Sequence, residues 1–421
     1  MMAEYRPRLA DEELKKKLQA FGAVSIVGPK WCGKTTTAEQ VAKSAAYMHD
    51  PDEAVNYERI MNTKPSLILE GETPRLIDEW QSEPMIWDLV RHSVDRRKKE
   101  GLYILTGSST VDQSKIKHSG AGRIDEMRMS TMSLYESGDS TGEVSLSEMF
   151  SGREASGISD HSLEKTAELL VRGGWPNSIG KDPEFAYEQI KSYCERILKT
   201  EVKTADGMER NKEKMRLLLR SISRNLSTTA PDTTILSDIM EKDNGILHIN
   251  TLRSYQNALR EIYVIDDLPA WTPKLRSKST IRTSDTRHLS DPAIAAYFLD
   301  ASAKDLLRDL KTFGLLFESM AVRDLRIYAR SLGGEVRHYR DRNGLETDAI
   351  IHLRNGKWAA AEIKLGAGMV DEAAKNLLKL KDKVETETMG SPSFLAVFTA
   401  TKYAYTGKDG VHVVPIGCLN P

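Results

Sequence analysis

The run Gly28-Pro29-Lys30-Trp31-Cys32-Gly33-Lys34-Thr35 restricts this chain more than any other feature. A G-x4-G-K-T pattern needs a strand to enter and a helix to leave, because the loop between them must close around an anion with its N–H groups turned inward. The apolar run Ala23 to Val27 supplies the strand, and Thr35 to Tyr47 is expected to continue as the helix. In such a loop the glycines let the backbone approach phosphates closely. Lys34 reaches the β- and γ-phosphates, and the Thr35 hydroxyl ligates Mg²⁺. Gly28, Pro29, Lys30, Trp31, Cys32, Gly33, Lys34, Thr35 and Thr36 are therefore read as the binding residues for a nucleoside triphosphate, ATP with Mg²⁺. Trp31 and Cys32 take variable positions in the loop and are assigned no chemistry.

Two further segments belong with it. Arg75-Leu76-Ile77-Asp78-Glu79 is an apolar run that ends in two acids. This is the Walker B pattern, in which Asp78 holds Mg²⁺ and Glu79 orients or activates the attacking water. Tyr103-Ile104-Leu105 ends in Thr106-Gly107-Ser108-Ser109. A hydroxyl at that strand end is placed to sense the γ-phosphate or to position the water, with Ser108 the first choice and Thr106 the second. Arg123, in a Gly-Ala-Gly-Arg loop, is a candidate to reach a γ-phosphate in its own chain or across a subunit interface, the alternative being an ion-paired surface arginine.

Short apolar runs at Leu67–Leu69, Leu76–Ile77 and Leu102–Leu105 alternate with helical stretches, which predicts a parallel α/β sheet. Residues 137–160 are rich in Gly, Ser, Asp and Glu and read as a surface excursion or linker. The expected divisions are an ATPase domain over 1–160, a helical lid over 161–225, a winged-helix-like module over 226–303 and an α/β domain over 304–421. Net charge is -1, so no bulk field would hold the chain on nucleic acid or membrane. Cys32, Cys194 and Cys418 are too scattered for a disulfide framework or a zinc cluster. The opening MMAEYRPRLADEELKKKL is charged and without an apolar core, and no apolar run is long enough to span a bilayer. A soluble, cytoplasmic protein is expected.

In the middle region, Thr234 to Met240 and His248 to Leu259 read as two helices, with Asn250 as N-cap of the second and a strand at Tyr263–Ile265. Helix, turn, helix and strand is the order of a winged helix. If that module meets DNA, Arg253, Gln256 and Asn257 would face the major groove, and Arg276, Lys278, Arg282 and Arg287 would contact phosphates. An interdomain or oligomerisation module is the alternative.

Asp348, Glu362 and Lys364 form D-x13-E-x-K. In nucleases with this pattern two acids on neighbouring strands bind Mg²⁺ and the lysine orients water. Glu318 is a further acid on the preceding helix. The hairpin register decides whether the set meets. A two-residue Asn355-Gly356 turn would pair 348 with 363 and put Asp348 on the opposite face from Glu362 and Lys364. A three-residue Arg354-Asn355-Gly356 loop pairs 348 with 362 and brings all three to one face. The alternative to a nuclease is a degenerate site in which Lys364 merely pairs with an acid.

The succession GPKWCGKT, LIDEW, ILTGSS, GAGR and RGGWP resembles the AAA-like ATPases of prokaryotes that carry a C-terminal domain of the DUF4143 type. SYQNALREIYVIDDLPAW, FGLLFESMAVRDL and ETDAIIHLRNGKWAAAEIKLG extend the resemblance through the C-terminal region. It implies a P-loop ATPase core, a winged-helix-like module and a domain similar to the PD-(D/E)xK nuclease fold. The expected function is ATP hydrolysis by a protein acting on or recruited to DNA, with Mg²⁺-dependent nuclease activity in the C-terminal domain. The alternative is a nucleotide-operated switch that binds a protein partner or a second copy of itself and cleaves nothing.

Overall fold

The computed structural model describes residues 5–108, 119–201, 210–240, 248–273, 284–384 and 389–421, without the side chains of 200 and 201. Two compact units emerge. The first draws on Met1–Thr131, Lys199–Glu209 and Asn257–Val264, the second on Met132–Leu198, Arg210–Gln256 and Ile265–Pro421.

The first unit is built on a five-stranded parallel sheet. Its strands are β1 (Ala23–Val27), β2 (Ser44–Tyr47), β3 (Arg75–Asp78), β4 (Tyr103–Gly107) and β5 (Ile124–Arg128), in the order β2-β3-β4-β1-β5. Successive side chains leave opposite faces of a strand, so each strand feeds two cores. Val24, Ile26, Leu76, Ile104 and Met127 pack on one face with Leu14 and Leu18 of the Leu9–Ala20 helix. Ala23, Ile77, Tyr103, Leu105 and Ile124 pack on the other with Trp80, Ile86 and Val90. The parallel sheet expected from the alternating runs is therefore present.

Three local expectations change. The helix after the loop runs only from Lys34 to Glu39. Val41 and Ala42 both donate back to the Ala38 carbonyl and close it, and Lys43 donates to Pro74 O at 2.8 Å, which starts β2 alongside β3. Leu67–Leu69 lies in a 3₁₀ turn, Pro65–Leu69, where the proline occupies the first turn and needs no donor. Strand β5 was hidden because its sequence, IDEMR, is charged; at the sheet edge only Ile124 and Met127 are buried.

The second unit holds a mixed seven-stranded sheet. Its strands are β7 (Gly157–Ile158), β8 (Gly334–Arg340), β9 (Glu346–Leu353), β10 (Trp358–Lys364), β11 (Leu395–Thr399), β12 (Tyr403–Thr406) and β13 (His412–Pro415), in the order β7-β12-β13-β11-β10-β9-β8. The long helix Leu310–Ser331 and the helix Val370–Lys383 pack on it. Residues 137–160 are not a linker, and the boundary expected at 160 falls at Thr131. Strand β6 (Val144–Ser145) pairs with β14 (Leu419–Asn420), and β7 pairs with β12. Two short strands, Val144–Ser145 and Gly157–Ile158, give this Gly- and Ser-rich segment its backbone partners in the second unit, while most of residues 151–160 stay exposed. Leu134 N–H adds a bond to Asp324 Oδ2 at 3.0 Å. Arg323, buried, bonds Asp324 and Asp291 at 2.8 and 2.9 Å, and Asp291 also accepts from Gly174 N–H at 2.9 Å. One buried cation thus ties the 132–174 segment to the long helix.

The region expected to be helical, 161–225, contains the helices Leu163–Arg172, Pro183–Arg196 and Lys212–Arg224. Asp232–Met240 and Ile249–Glu261 are the two helices expected of the middle module. Among the described residues no helix is long and apolar enough to cross a membrane.

Candidate nucleotide site and C-terminal cleft

Parallel pairing puts the ends of β1, β3 and β4 on one sheet edge. Val27 stands beside Gly107, and Asp78 beside Thr106. The loop that follows β1 brings Lys34 inward. Its ammonium is buried and donates to the carbonyls of Gly28 and Pro29 at 3.0 and 2.9 Å. Among the described residues it has no carboxylate partner. A buried cation without a counter-charge is costly, and an anion such as a phosphate would relieve it. Thr35 Oγ1 donates to Asp78 Oδ1 at 2.6 Å, and Thr106 Oγ1 donates to the same oxygen, also at 2.6 Å. Two hard oxygen donors therefore lie side by side, which fits Mg²⁺.

Glu79 follows at φ +53, in the left-handed region, at a cost of roughly 1–3 kcal/mol for a residue with a Cβ. That turn aims its carboxylate toward β4. Glu79 Oε2 accepts from Ser108 Oγ at 3.2 Å and from the amide of Gln81. The two hydroxyls at the end of β4 thus divide their work: Thr106 serves Asp78 and Ser108 serves Glu79. Ser109 lies outside the described residues.

Arg123 is elsewhere. Its carbonyl accepts from Ala23 N–H at the start of β1, and Ala23 pairs with Ile124. A five-residue strand separates it from the loop edge, roughly 16 Å at about 3.3 Å per residue. Its Nε donates to Asp95 at 2.7 Å. Within its own chain Arg123 is therefore held away from the phosphate loop and pairs with Asp95, which leaves, of its two expected reaches, the one across a subunit interface.

Arg8 was missed. Its guanidinium is buried and donates to Cys32 O at 2.8 Å and to Ser130 O at 2.9 Å, bracing the phosphate loop from behind. Nothing in the local sequence marks it beyond an arginine just before the first helix. Trp31, in the same loop, is left-handed (φ +64) and 41% exposed.

The middle module differs from a DNA-reading helix. The second helix begins at Ile249, so Asn250 is inside the first turn, not at its cap. Gln256 is buried, with its amide on Asp232 at 3.1 Å, and Arg253 reaches the same acid at 3.2 Å. Arg287 is buried too and donates to Asp232 at 2.9 Å. These groups are spent inside the fold, so Gln256 and Arg287 are not available to bases or phosphates. Tyr263 is left-handed, not extended. The described part of the expected wing consists of two antiparallel bridges, Ile265 with Leu289 and Leu268 with Thr286. Arg276, Lys278 and Arg282 lie outside the described residues.

The C-terminal hairpin has the odd-length loop. Leu353 N–H bonds Lys357 O, Gly356 is left-handed at φ +85, and Ala361 pairs with Ala349. That register sets Asp348 against Glu362. Lys364 Nζ lies 2.9 Å from Asp348 and 2.7 Å from Glu362. Asp348 also takes Ile363 N–H at 2.7 Å. Glu318, Asp348 and Lys364 line a cleft of about 660 Å³ together with His338, Arg340 and Thr228.

The electrostatics follow from one ammonium serving several acids. Burial, with the nearby Asp348 charge, pushes the Glu362 carboxyl up to about 8 despite Lys364. Burial and Asp348 push Glu318 up as well. Burial works against the charge on Lys364, but Asp348 and Glu362 outweigh it and hold its pKa up. One ammonium thus faces two carboxyls, of which Glu362 is the more buried and the one whose pKa burial raises. Among the described residues no group of three or more His, Cys, Asp or Glu is arranged to hold a metal ion. Lys364 spans Asp348 and Glu362, the two acids expected to hold Mg²⁺, and in this arrangement the three form an ion-paired cluster.

Residues 20–138 match the family described as AAA domain, and residues 313–419 match Domain of unknown function (DUF4143). The chain joins an AAA domain to a DUF4143 domain. Between them, residues 163–305 match Domain of unknown function (DUF8612), which spans both the expected helical lid and the expected winged helix. Two uncharacterized proteins, one of Mycobacterium tuberculosis and one of Mycobacterium bovis, are each 30% identical over 146 residues, 34% of this chain. The chain spans about a third of the length of these relatives, 32%. Among solved structures, a Walker-type ATPase of Pyrococcus abyssi is similar with TM-score 0.41 and 14% identity, over 71% of this chain and 99% of that one. The replication initiator DnaA, solved bound to AMPPCP and single-stranded DNA, is similar with TM-score 0.27 and 13% identity, over 62% of this chain and 90% of that one. The phosphate loop, Asp78, Glu79, Thr106 and Ser108 all fall in the AAA domain. The ion-paired cluster belongs to the DUF4143 domain.

Proposed function

We propose that the AAA domain binds ATP with Mg²⁺ and hydrolyses it, and that this turnover operates a switch read by the DUF4143 domain. The observation that carries the reading is the buried Lys34 ammonium, whose partners among the described residues are two carbonyls. Lys34 would bind the β- and γ-phosphates, and Thr35 and Asp78 would hold Mg²⁺. When bound, that ion supplies positive charge to the phosphate oxygens. Glu79 would take a proton from water, with Ser108 fixing the carboxylate. Lys34→Ala should abolish binding of a fluorescent ATP analogue, while Glu79→Gln should bind it and fail to release phosphate. ATP turnover at the wild-type rate by Lys34→Ala sinks the reading.

For the C-terminal domain we propose recruitment to DNA without cleavage. The cleft collects Glu318, Asp348 and Lys364 with Arg340, a residue set similar to that of nucleases. The reading without cleavage takes the Lys364 ammonium as the partner that Asp348 and Glu362 keep. ATPase rates measured with and without duplex and single-stranded DNA, with gels run on the same samples, test both halves. DNA that neither binds nor changes the rate would favour a protein partner at that domain.

A further inference from the structure

Gln81 lies two residues beyond Glu79, in the short turn Trp80–Ser82. Its Nε2 donates to Glu79 Oε2, the oxygen that Ser108 also holds. Its other atom, Oε1, is buried and has no hydrogen-bond partner among the described residues. The orientation of the amide is fixed by chemistry: turned over, it would set Oε1 against a carboxylate oxygen, two acceptors face to face. A buried acceptor left open asks for a donor. The place of this acceptor is specific. A Cβ at Gly107 would come within 2.8 Å of Gln81 Oε1, so the amide lies over the end of β4, the strand between the Walker B strand and the phosphate-loop strand.

We propose that Gln81 is a second water-positioning residue. The inference rests on the ATPase reading above. The attacking water donates one proton toward Glu79 and the other to Gln81 Oε1, which aims a lone pair of its oxygen at the γ-phosphorus. The new O–P bond forms as the bridging O–P bond breaks, and that electron pair leaves on ADP. Glu79 takes one water proton; the second stays on the phosphate product. The Nε2 bond keeps the Glu79 carboxylate and the Gln81 carbonyl at a fixed separation, so the two acceptors act as a fork.

Gln81→Met removes both polar atoms at similar length. Gly107→Ala leaves Gln81 intact but displaces its amide, which provides a second route if the first variant folds poorly. Both are measured against wild type and Glu79→Gln for phosphate release, for affinity toward a non-hydrolysable ATP analogue and for thermal unfolding. The expected result is a fall in kcat of about 100-fold, in the range for a misplaced reactant, with KM and analogue affinity within about twofold of wild type. Wild-type kcat in Gln81→Met beside an inactive Glu79→Gln overturns the role of Gln81 and leaves the ATPase reading standing. Lost analogue affinity in both variants also overturns it, because Gln81 would then be holding the loop rather than water. No phosphate release by the wild-type protein overturns the ATPase reading and Gln81 with it.

Discussion

Thr106 donates to the same oxygen of Asp78 that Thr35 holds, at 2.6 Å, from the neighbouring strand in the sheet. A metal-holding carboxylate is usually fixed by such an outer partner, and loss of one costs about 10–100-fold in metal affinity or activity. Thr106→Val should therefore raise the Mg²⁺ concentration needed for half-maximal ATPase by at least about tenfold. Ser108→Ala should leave that requirement unchanged and lower kcat, because Ser108 bonds Glu79 instead. Titration of Mg²⁺ at saturating ATP separates the two; equal shifts would contradict the division of labour between these hydroxyls.

Arg8 offers a different test of the loop. Its buried guanidinium satisfies two carbonyls, Cys32 O and Ser130 O. Bonds from a charged donor are worth about 1.5–3 kcal/mol each, and the Cys32 carbonyl would be left buried without this donor. Arg8→Ala should lower the unfolding midpoint of the AAA domain and weaken nucleotide binding about tenfold or more. Lysine is a poor substitute, since one ammonium does not reproduce a fork that spans two acceptors. Full affinity in Arg8→Lys, measured by analogue titration, would show that charge alone suffices.

In the C-terminal cluster the same logic predicts an asymmetry. Lys364→Met strands Asp348 and Glu362 in a largely buried position, and removing one partner of such a set costs about 3 kcal/mol or more. Glu362→Gln keeps the shape and removes a carboxyl that already tends to hold its proton, so it should cost far less or stabilise. Denaturant unfolding of both variants at pH 7 decides. Equal destabilisation would mean that the cluster carries its charge differently.

How far these sites were legible in sequence depends on how local their determinants are. G-x4-G-K-T and the acids at the end of β3 are set by a loop and a strand end, so these residues could be named from local sequence; the structure bonds Thr35 to Asp78 and Ser108 to Glu79. The hairpin was legible as a condition: meeting of Asp348 and Glu362 required a three-residue loop, and Gly356 provides its left-handed residue. The place of Arg123 within the chain was not legible, because it depends on β5, a charged edge strand that hydrophobic patterning does not reveal. Gln256 and Arg287 look like free polar groups in sequence. Only the fold shows Asp232 between them.

His288 carries the last prediction. Its ring is buried, with Nδ1 beside Ser319 Oγ at 3.1 Å and Nε2 without a partner among the described residues. Burial above all, with Arg326 and His338 nearby and only Asp266 opposing, pulls its pKa down to about 3. In the unfolded chain a histidine titrates near 6.5. Between those values the unfolded state binds a proton that the folded state refuses, so stability rises with pH. The contribution is fully present above about 6.5 and is lost as pH falls toward about 3. His288→Gln removes the titrating group while keeping a polar amide for Ser319. The variant should be less stable than wild type at pH 8 but should show a shallower loss from pH 6.5 to pH 4, by up to about 1.4 kcal/mol per pH unit. Unfolding free energies measured across that window check it, and parallel slopes for the two proteins would remove His288 from the acid sensitivity of this domain.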